Sequence, residues 1–321
     1  MTGGEACLSA QAGGVHSWTS AHFNQADALV YVGAAGIAVS DIAPFIKSKT
    51  TDPAVIEIDE GGYFIKHVLS GHLGGANDLA RELASAAGGI PVITTATDVN
   101  RRFAVDEWAK RQNCAVKNPS RIRMVSSKIL SGETVKVRSR WPVQGDAPEF
   151  VRPADEEEMP DAVVDIYRES GPVCVPDGNV PLKLVPRIAV VGIGCRRGTA
   201  EEQIEACFRQ FLEENEIEEE AVCLAASIDL KKEEPGLVQF CEQHGLPFVT
   251  YTADELKQVR GDFSVSEFVK SVTGVDNVCE RSALCAAGSE AADRLLVKKT
   301  KYEGVTMALA LKPYHPDWKW L

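Results

Sequence analysis

Short apolar runs alternate with amphipathic stretches at both ends of the chain. Residues 29–32 read as a strand, and Gly33-Ala34-Ala35-Gly36 leads into a helical stretch with Ile37, Ile42, Phe45 and Ile46 on one side. Residues 55–59 and 63–69 read as strands about a Glu60-Gly61-Gly62 turn. After Ser70-Gly71-His72-Leu73-Gly74-Gly75-Ala76-Asn77, the positions Ala76, Leu79, Ala80, Leu83, Ala84 and Ala87 recur at the i, i+3, i+4 spacing of a helix packed on a sheet. Residues 91–94 give the next strand and 103–110 the next helix. The third segment repeats the alternation. An apolar strand at 188–191 runs into Gly192-Ile193-Gly194-Cys195-Arg196-Arg197-Gly198-Thr199, followed by the core stripe Ile204, Cys207, Phe208, Phe211 and Leu212.

Strands at 222–228 and 247–251 flank a helix near 236–244. Ser264 with Glu267 has the capping-box spacing for a helix carrying Phe268, Val269 and Val272. Residues 277–287 suggest one more helix, and 295–298 with 305–311 a terminal hairpin. Between the two α/β ends, Asn118, Pro119 and Gly132 bracket a helix, and Val135, Val137 and Trp141 share one face of a strand. Seven of the sixteen prolines then fall between 145 and 186, beside acidic 155–158, a composition of extended connections. The expected fold is therefore α/β: two doubly wound lobes with mainly parallel sheets, 1–114 and 187–321, joined by a smaller irregular middle domain, 115–186.

Composition narrows the class. At 45% hydrophobic and 25% charged, the 321 residues read as an ordinary soluble chain. No apolar run approaches the roughly 18 residues of a membrane span, and no signal peptide is visible. Nine cysteines without a Cys-x-x-Cys pair favour reduced thiols in a cytoplasm over disulfides or a zinc site. The net charge of −12 argues against nucleic acid or an anionic membrane as partner, so any polyanionic ligand must be held by local donors.

Those donors are offered by the two glycine turns, each following a strand and opening a helix, where free backbone N–H groups and the helix dipole favour anions. The amides of Gly71, Gly74, Gly75 and Asn77 form one candidate cradle; Gly194, Gly198 and Thr199 form the other, with Arg196 and Arg197 as carboxylate clamps. Thr199 with Glu202 also fits a capping box. The spacing at 192–198 is one residue too long for a dinucleotide fingerprint. Cys195 has the setting of a low-pKa thiol, but no His in its segment is an evident base. His72, in a glycine turn rather than on an apolar stripe, is a candidate neutral base, with Glu60 as an alternative carboxylate. Lys231 and Glu234 end a strand where open α/β sheets place ligands.

At these residues the chain resembles the cobalt-precorrin-5A hydrolase (CbiG) family of anaerobic cobalamin biosynthesis. The resemblance runs through Gly36-Ile37, Ile42-Ala43-Pro44, residues 52–60, 70–77 and 91–98, then 192–199, 228–237, 266–268, 274–280 and 298–306. The third segment is also similar to stand-alone CobE-type proteins. Two departures stand out. Residues 1–27 are shorter than the family's first strand–turn–helix unit, so an open sheet edge is expected, and Ser40 stands where the family tends to have Arg. The resemblance implies hydrolytic opening of the ring A δ-lactone of a cobalt-bearing tetrapyrrole, with release of the two-carbon unit as acetaldehyde. The cobalt then belongs to the substrate, and no protein cofactor is implied. It leaves room for a homodimer and for contacts with neighbouring pathway enzymes. Both lobes are expected to grip the macrocycle between their glycine turns, with His72 or Glu60 activating water. A non-catalytic tetrapyrrole carrier and a nucleotide-binding enzyme are the rival readings.

Overall fold

The alternation resolves into three sheets in a computed structural model that describes residues 4–48, 51–168, 180–288 and 292–320. Among the described residues, seven of the eleven strand pairings are parallel. The first unit comprises α1 (Val15–His22), β1 (Ala28–Val32), α2 (Ala35–Ile42), β2 (Ala54–Ile58), β3 (Phe64–Leu69), α3 (Ala76–Ala87), β4 (Ile90–Val92) and α4 (Ala96–Val99). Its strands lie in the order β1-β2-β3-β4, with β1 at an edge. Phe23, Leu29, Tyr31, Ile42 and Val55 form a core on one face, while Ile56 and Ile65 meet Ala76, Ala80 and Ala84 of α3 on the other. Helix α1 lies where the sequence showed no periodicity. In α2 the buried positions are Ala38 and Ile42; Ile37 is 54% exposed, against expectation. Ile37 sits five residues from Ile42, about 140° around the helix axis, so both cannot face the sheet. Ser40 is exposed on the same helix.

The middle unit is a second departure. It contains α5 (Val105–Arg111), β5 (Cys114–Val116), α6 (Ile122–Ser131), β6 (Val135–Ser139), β7 (Val151–Pro153), β8 (Ala162–Val164) and β9 (Leu182–Pro186). The strands form a five-stranded sheet in the order β5-β9-β8-β6-β7; β6 lies in the strand expected there, while β7, β8 and β9 fall where extended connections, with at most a small domain around 162–168, were expected. Pro153 and Pro186 close β7 and β9, where a missing N–H costs the ladder little. Of that stretch, residues 169–179 lie outside the described residues. The core joins Val125, Ile129, Val135, Val137, Val164, Leu182 and Leu184 to Trp108 of α5. Helix α5 thus packs here rather than in the first lobe, so the break falls nearer residue 100 than 114. The C-terminal tail returns to the same core: Trp318 stacks on Trp108 at 5.2 Å, and the Trp108 indole N–H donates to the Asp317 carbonyl at 2.6 Å.

The third unit runs β10 (Ala189–Cys195), α7 (Glu201–Glu214), β11 (Val222–Ile228), α8 (Pro235–Gln243), β12 (Phe248–Tyr251), α9 (Ala253–Gln258), α10 (Glu267–Thr273), α11 (Cys279–Ala286), β13 (Leu295–Lys301) and β14 (Val305–Leu311). Its sheet order is β12-β11-β10-β14-β13. Ile204, Phe208 and Phe211 of α7 and Phe240 of α8 cover one face, and Ala283 and Leu284 of α11 the other. Gly192 lets α11 lie against β10: a Cβ there would stand 1.8 Å from the Cys279 carbonyl oxygen. Two caps differ from expectation. Ala200 is the N-cap of α7 while the Thr199 hydroxyl donates to the Arg196 carbonyl. Ser266, rather than Ser264, caps α10, because Ser264 is bonded to Glu280. The capping box forms at Thr252 and Glu255 of α9.

Candidate active site

Strands β10 and β11 both end at a cleft of about 1170 Å³, the position where open α/β sheets hold ligands. The turn after β10 supplies Arg196 and Arg197, the turn after β11 supplies Leu230, Lys231, Glu233 and Glu234, α10 supplies Ser266, Val269, Val272 and Thr273, and β13–β14 supply Lys299, Lys301, Tyr302 and Thr306. Lys299 and Lys301 alternate along a strand, so both project from one face. Arg196 and Arg197 are exposed and form no ion pair among the described residues. Leu230 and Val272 are 63% and 61% exposed. An apolar floor edged by unpaired cations suits a broad apolar ring with acid arms.

The loop amides are less free than expected. The Gly198 N–H donates to Glu234 Oε1 at 2.6 Å, and Lys231 Nζ reaches Glu234 Oε2 at 2.7 Å. Glu234 is buried, so it fixes the loop from within although it borders the cleft. Burial, with Glu234 adding to it and Lys231 opposing, pushes the Cys195 thiol up to about 11. A thiolate nucleophile is therefore absent at neutral pH. His244, the nearest candidate base by sequence, is bonded to Glu205 and Glu219. Of the two carboxylates in the cleft lining, Glu233 has no hydrogen bond or ion pair among the described residues.

The other glycine turn is a joint between units. Leu73 packs against the middle core. Three of the turn's amides close on the turn itself, Gly75 N–H on the His72 carbonyl, Ala76 N–H on the Ser70 carbonyl and Asn77 N–H on the Gly71 carbonyl. His72 Nδ1 lies 2.9 Å from Asp106 Oδ2 of α5, and Nε2 lies 2.8 Å from Asp98 Oδ2. Burial pulls the imidazole down, but the hydrogen bond and charge of Asp106, then Asp98 and Glu107, outweigh it and raise the pKa to about 9. His72 is thus a held imidazolium at neutral pH, not the neutral base expected. Asn77 is wholly buried and donates to Thr95 and Asp98, which removes it from ligand contact. Glu60 is exposed in the β2–β3 hairpin, at the opposite end of β3 from His72, about 20 Å away at strand rise. The cleft lining runs from residue 194 to 306, so Gly71, Gly74 and Gly75 do not border it and the two turns do not grip one ligand across it.

Three family models match the chain in sequence: the cobalamin synthesis G N-terminal region over residues 17–98, the cobalamin biosynthesis central region over 103–235, and the cobalamin synthesis G C-terminus over 189–310. Cobalt-precorrin-5A hydrolase of Salmonella typhimurium is 34% identical over 93% of this chain and 86% of its own. The Priestia megaterium enzyme of the same name is 32% identical over 91% of this chain and 80% of its own. The chain belongs to the cobalt-precorrin-5A hydrolase (CbiG) family.

Within this CbiG chain, the protein CobE of Sinorhizobium sp is matched at 33% identity over 122 residues, 38% of this chain and 78% of CobE. The third unit, which holds the cleft, is of that size. Sequence reasoning placed Arg196, Arg197, Lys231 and Glu234 at the cleft and missed Lys299, Lys301, Tyr302 and Val272. The alternation of Lys299 and Lys301 beside a glycine turn was the available signal. Among the described residues no helix is long and apolar enough to cross a membrane.

Proposed function

We propose that this CbiG protein hydrolyses cobalt-precorrin-5A, opening the ring A δ-lactone and releasing the two-carbon unit as acetaldehyde to leave cobalt-precorrin-5B. The observation that carries it is the near-full-length match to hydrolases of that name, joined to a cleft whose cations and aliphatic side chains suit an acid-rich macrocycle. Arg196, Arg197, Lys231, Lys299 and Lys301 hold the acetate and propionate arms, while Leu230, Val269 and Val272 lie against the ring. The cobalt arrives and leaves with the substrate.

Water adds to the lactone carbonyl, and its oxygen stays in the new carboxylate. The freed alcohol then loses its proton, the carbon–carbon bond breaks, and its electron pair remains on the macrocycle while the two-carbon unit departs as aldehyde. Glu233 is the unpaired carboxylate in the cleft and serves as the proton acceptor. Replacing Glu233 with Gln lowers kcat by roughly 10²–10⁴ while KM stays within a few-fold. Anaerobic incubation with the lactone and an aldehyde assay tests both statements. Pigment binding without acetaldehyde from the wild type makes the protein a carrier; full turnover by the variant removes Glu233 from the reaction.

A further inference from the structure

A second cavity lies at the opposite end of the same sheet. It measures about 350 Å³ and is lined by Arg111, Gln112, Asn113, Arg187, Ile188, Cys223, Lys312, Pro313, Tyr314 and His315. Four of these are cationic or protonatable, and none is an acid, in a chain whose net charge is −12. Among the described residues neither Arg187, Lys312 nor His315 forms an ion pair, and Arg111 acts on Asp78 only beyond ion-pair distance. The adjoining cavity, about 550 Å³, shares Asn113, Arg187 and Cys223. Its own acids are occupied: Glu219 by His244 and Glu220 by Lys117.

The cations are held in place by backbone. Arg111 ends α5, Arg187 sits in the link between β9 and β10, and Lys312 follows β14. The Arg187 N–H donates to the Asn113 carbonyl at 2.9 Å, and the Asn113 side-chain amide returns to the Arg187 carbonyl at 3.1 Å. The Lys312 N–H donates to the Ile188 carbonyl at 2.9 Å. Arg187 and Lys312 line the groove together with Cys223, and burial raises the pKa of that thiol while the two cations act to lower it. Three chain segments far apart in sequence thus present their charges to one groove, with the ordering entropy already met by the fold.

We propose that this groove binds a small oxyanion carrying at least two negative charges on phosphate or carboxylate groups. Guanidinium and ammonium donors without resident acids match such a ligand. The volume is too small for a tetrapyrrole, and the groove lies at the Ala189 end of β10 while the cleft lies at the Cys195 end, about 20 Å apart. It therefore stands apart from the substrate cleft and does not depend on the hydrolase reading. Because the Arg187 link, the end of α5 and the tail all line it, a bound anion ties the middle unit to the third.

Isothermal titration of the full chain with inorganic phosphate and with citrate tests the site. Saturable binding of either upholds it, phosphate alone assigning a phosphoryl ligand and citrate alone a carboxylate ligand. Arg187→Gln with Lys312→Gln should weaken that binding about 10- to 100-fold, and Arg111→Gln alone by less. Arg187 bonds its neighbours through backbone only, so near-UV circular dichroism should match wild type. The Arg196→Glu, Arg197→Glu double variant should bind the anion as wild type does. Failure of both anions to saturate overturns the proposal, as does unchanged binding in the groove variants or its loss in the cleft variant.

Discussion

Replacing His72 with Gln removes the cation that joins the first unit to α5. The imidazolium bridges Asp98 and Asp106 with its side chain only 10% exposed, and its pKa stands at about 9 against an ordinary 6.5. Such a group adds stability that is complete below pH 6.5 and is lost as pH rises through 9, because only the native state keeps the proton in that window. The shift corresponds to about 3 kcal/mol, in line with the cost of breaking a buried pair. Glu107, raised by burial to about 7 despite the pull of His72, works in the same direction at lower pH, since its carboxyl is more easily ionised in the unfolded chain. Urea midpoints measured from pH 6 to 9.5 should fall by roughly 1 M or more in the wild type between 6.5 and 9, and stay nearly level in His72→Gln. The variant should also begin about 3 kcal/mol below wild type at pH 6.5. Equal slopes in the two proteins would refute the imidazolium clasp.

Two other outcomes follow from single contacts. Reversing Arg196 and Arg197 to Glu should raise KM for the lactone about 10- to 100-fold with kcat within a few-fold, since unpaired guanidinium groups hold the arms and not the reacting carbon; unchanged KM in a steady-state aldehyde assay counts against the clamp. Gly192→Ala should destabilise the third unit by about 3 kcal/mol or more, because a Cβ 1.8 Å from the Cys279 carbonyl forces α11 off the sheet; a thermal transition matching wild type would show that α11 yields more readily than this packing allows.

Periodicity made much of the outer units legible, because helices such as α3 and α7 bury one stripe on one sheet face, whereas α1 and α2 do not follow the pattern read. The stripe Ile204, Phe208, Phe211 and the Ala76–Ala84 series both pack as read. The middle sheet was obscured by its strands: β5, β7 and β8 are three residues each, too short to show alternation, and proline closes β7 and β9. The domain break was misplaced because Trp108 finds its partner in Trp318, more than two hundred residues away, which no local pattern reports. Family motifs carried the function better than they carried the residues that perform it.

The two glycine turns show why the site was only half legible. Both follow a strand, open a helix and offer polar side chains, so by sequence they promise the same anion chemistry. Their fates are decided by groups far along the chain. The first turn meets Asp98 and Asp106, 26 and 34 residues on, and its histidine becomes a buried clasp. The second meets Lys299 and Lys301 about one hundred residues on, and its arginines stay exposed over an open cleft. What separates the two turns is whether their charges are already paired. The same criterion selects the groove at Arg187 and Lys312. In a chain of net charge −12, most surface repels an acidic ligand, so the unpaired cations at the two ends of one sheet are the places where such a ligand would meet complementary charge.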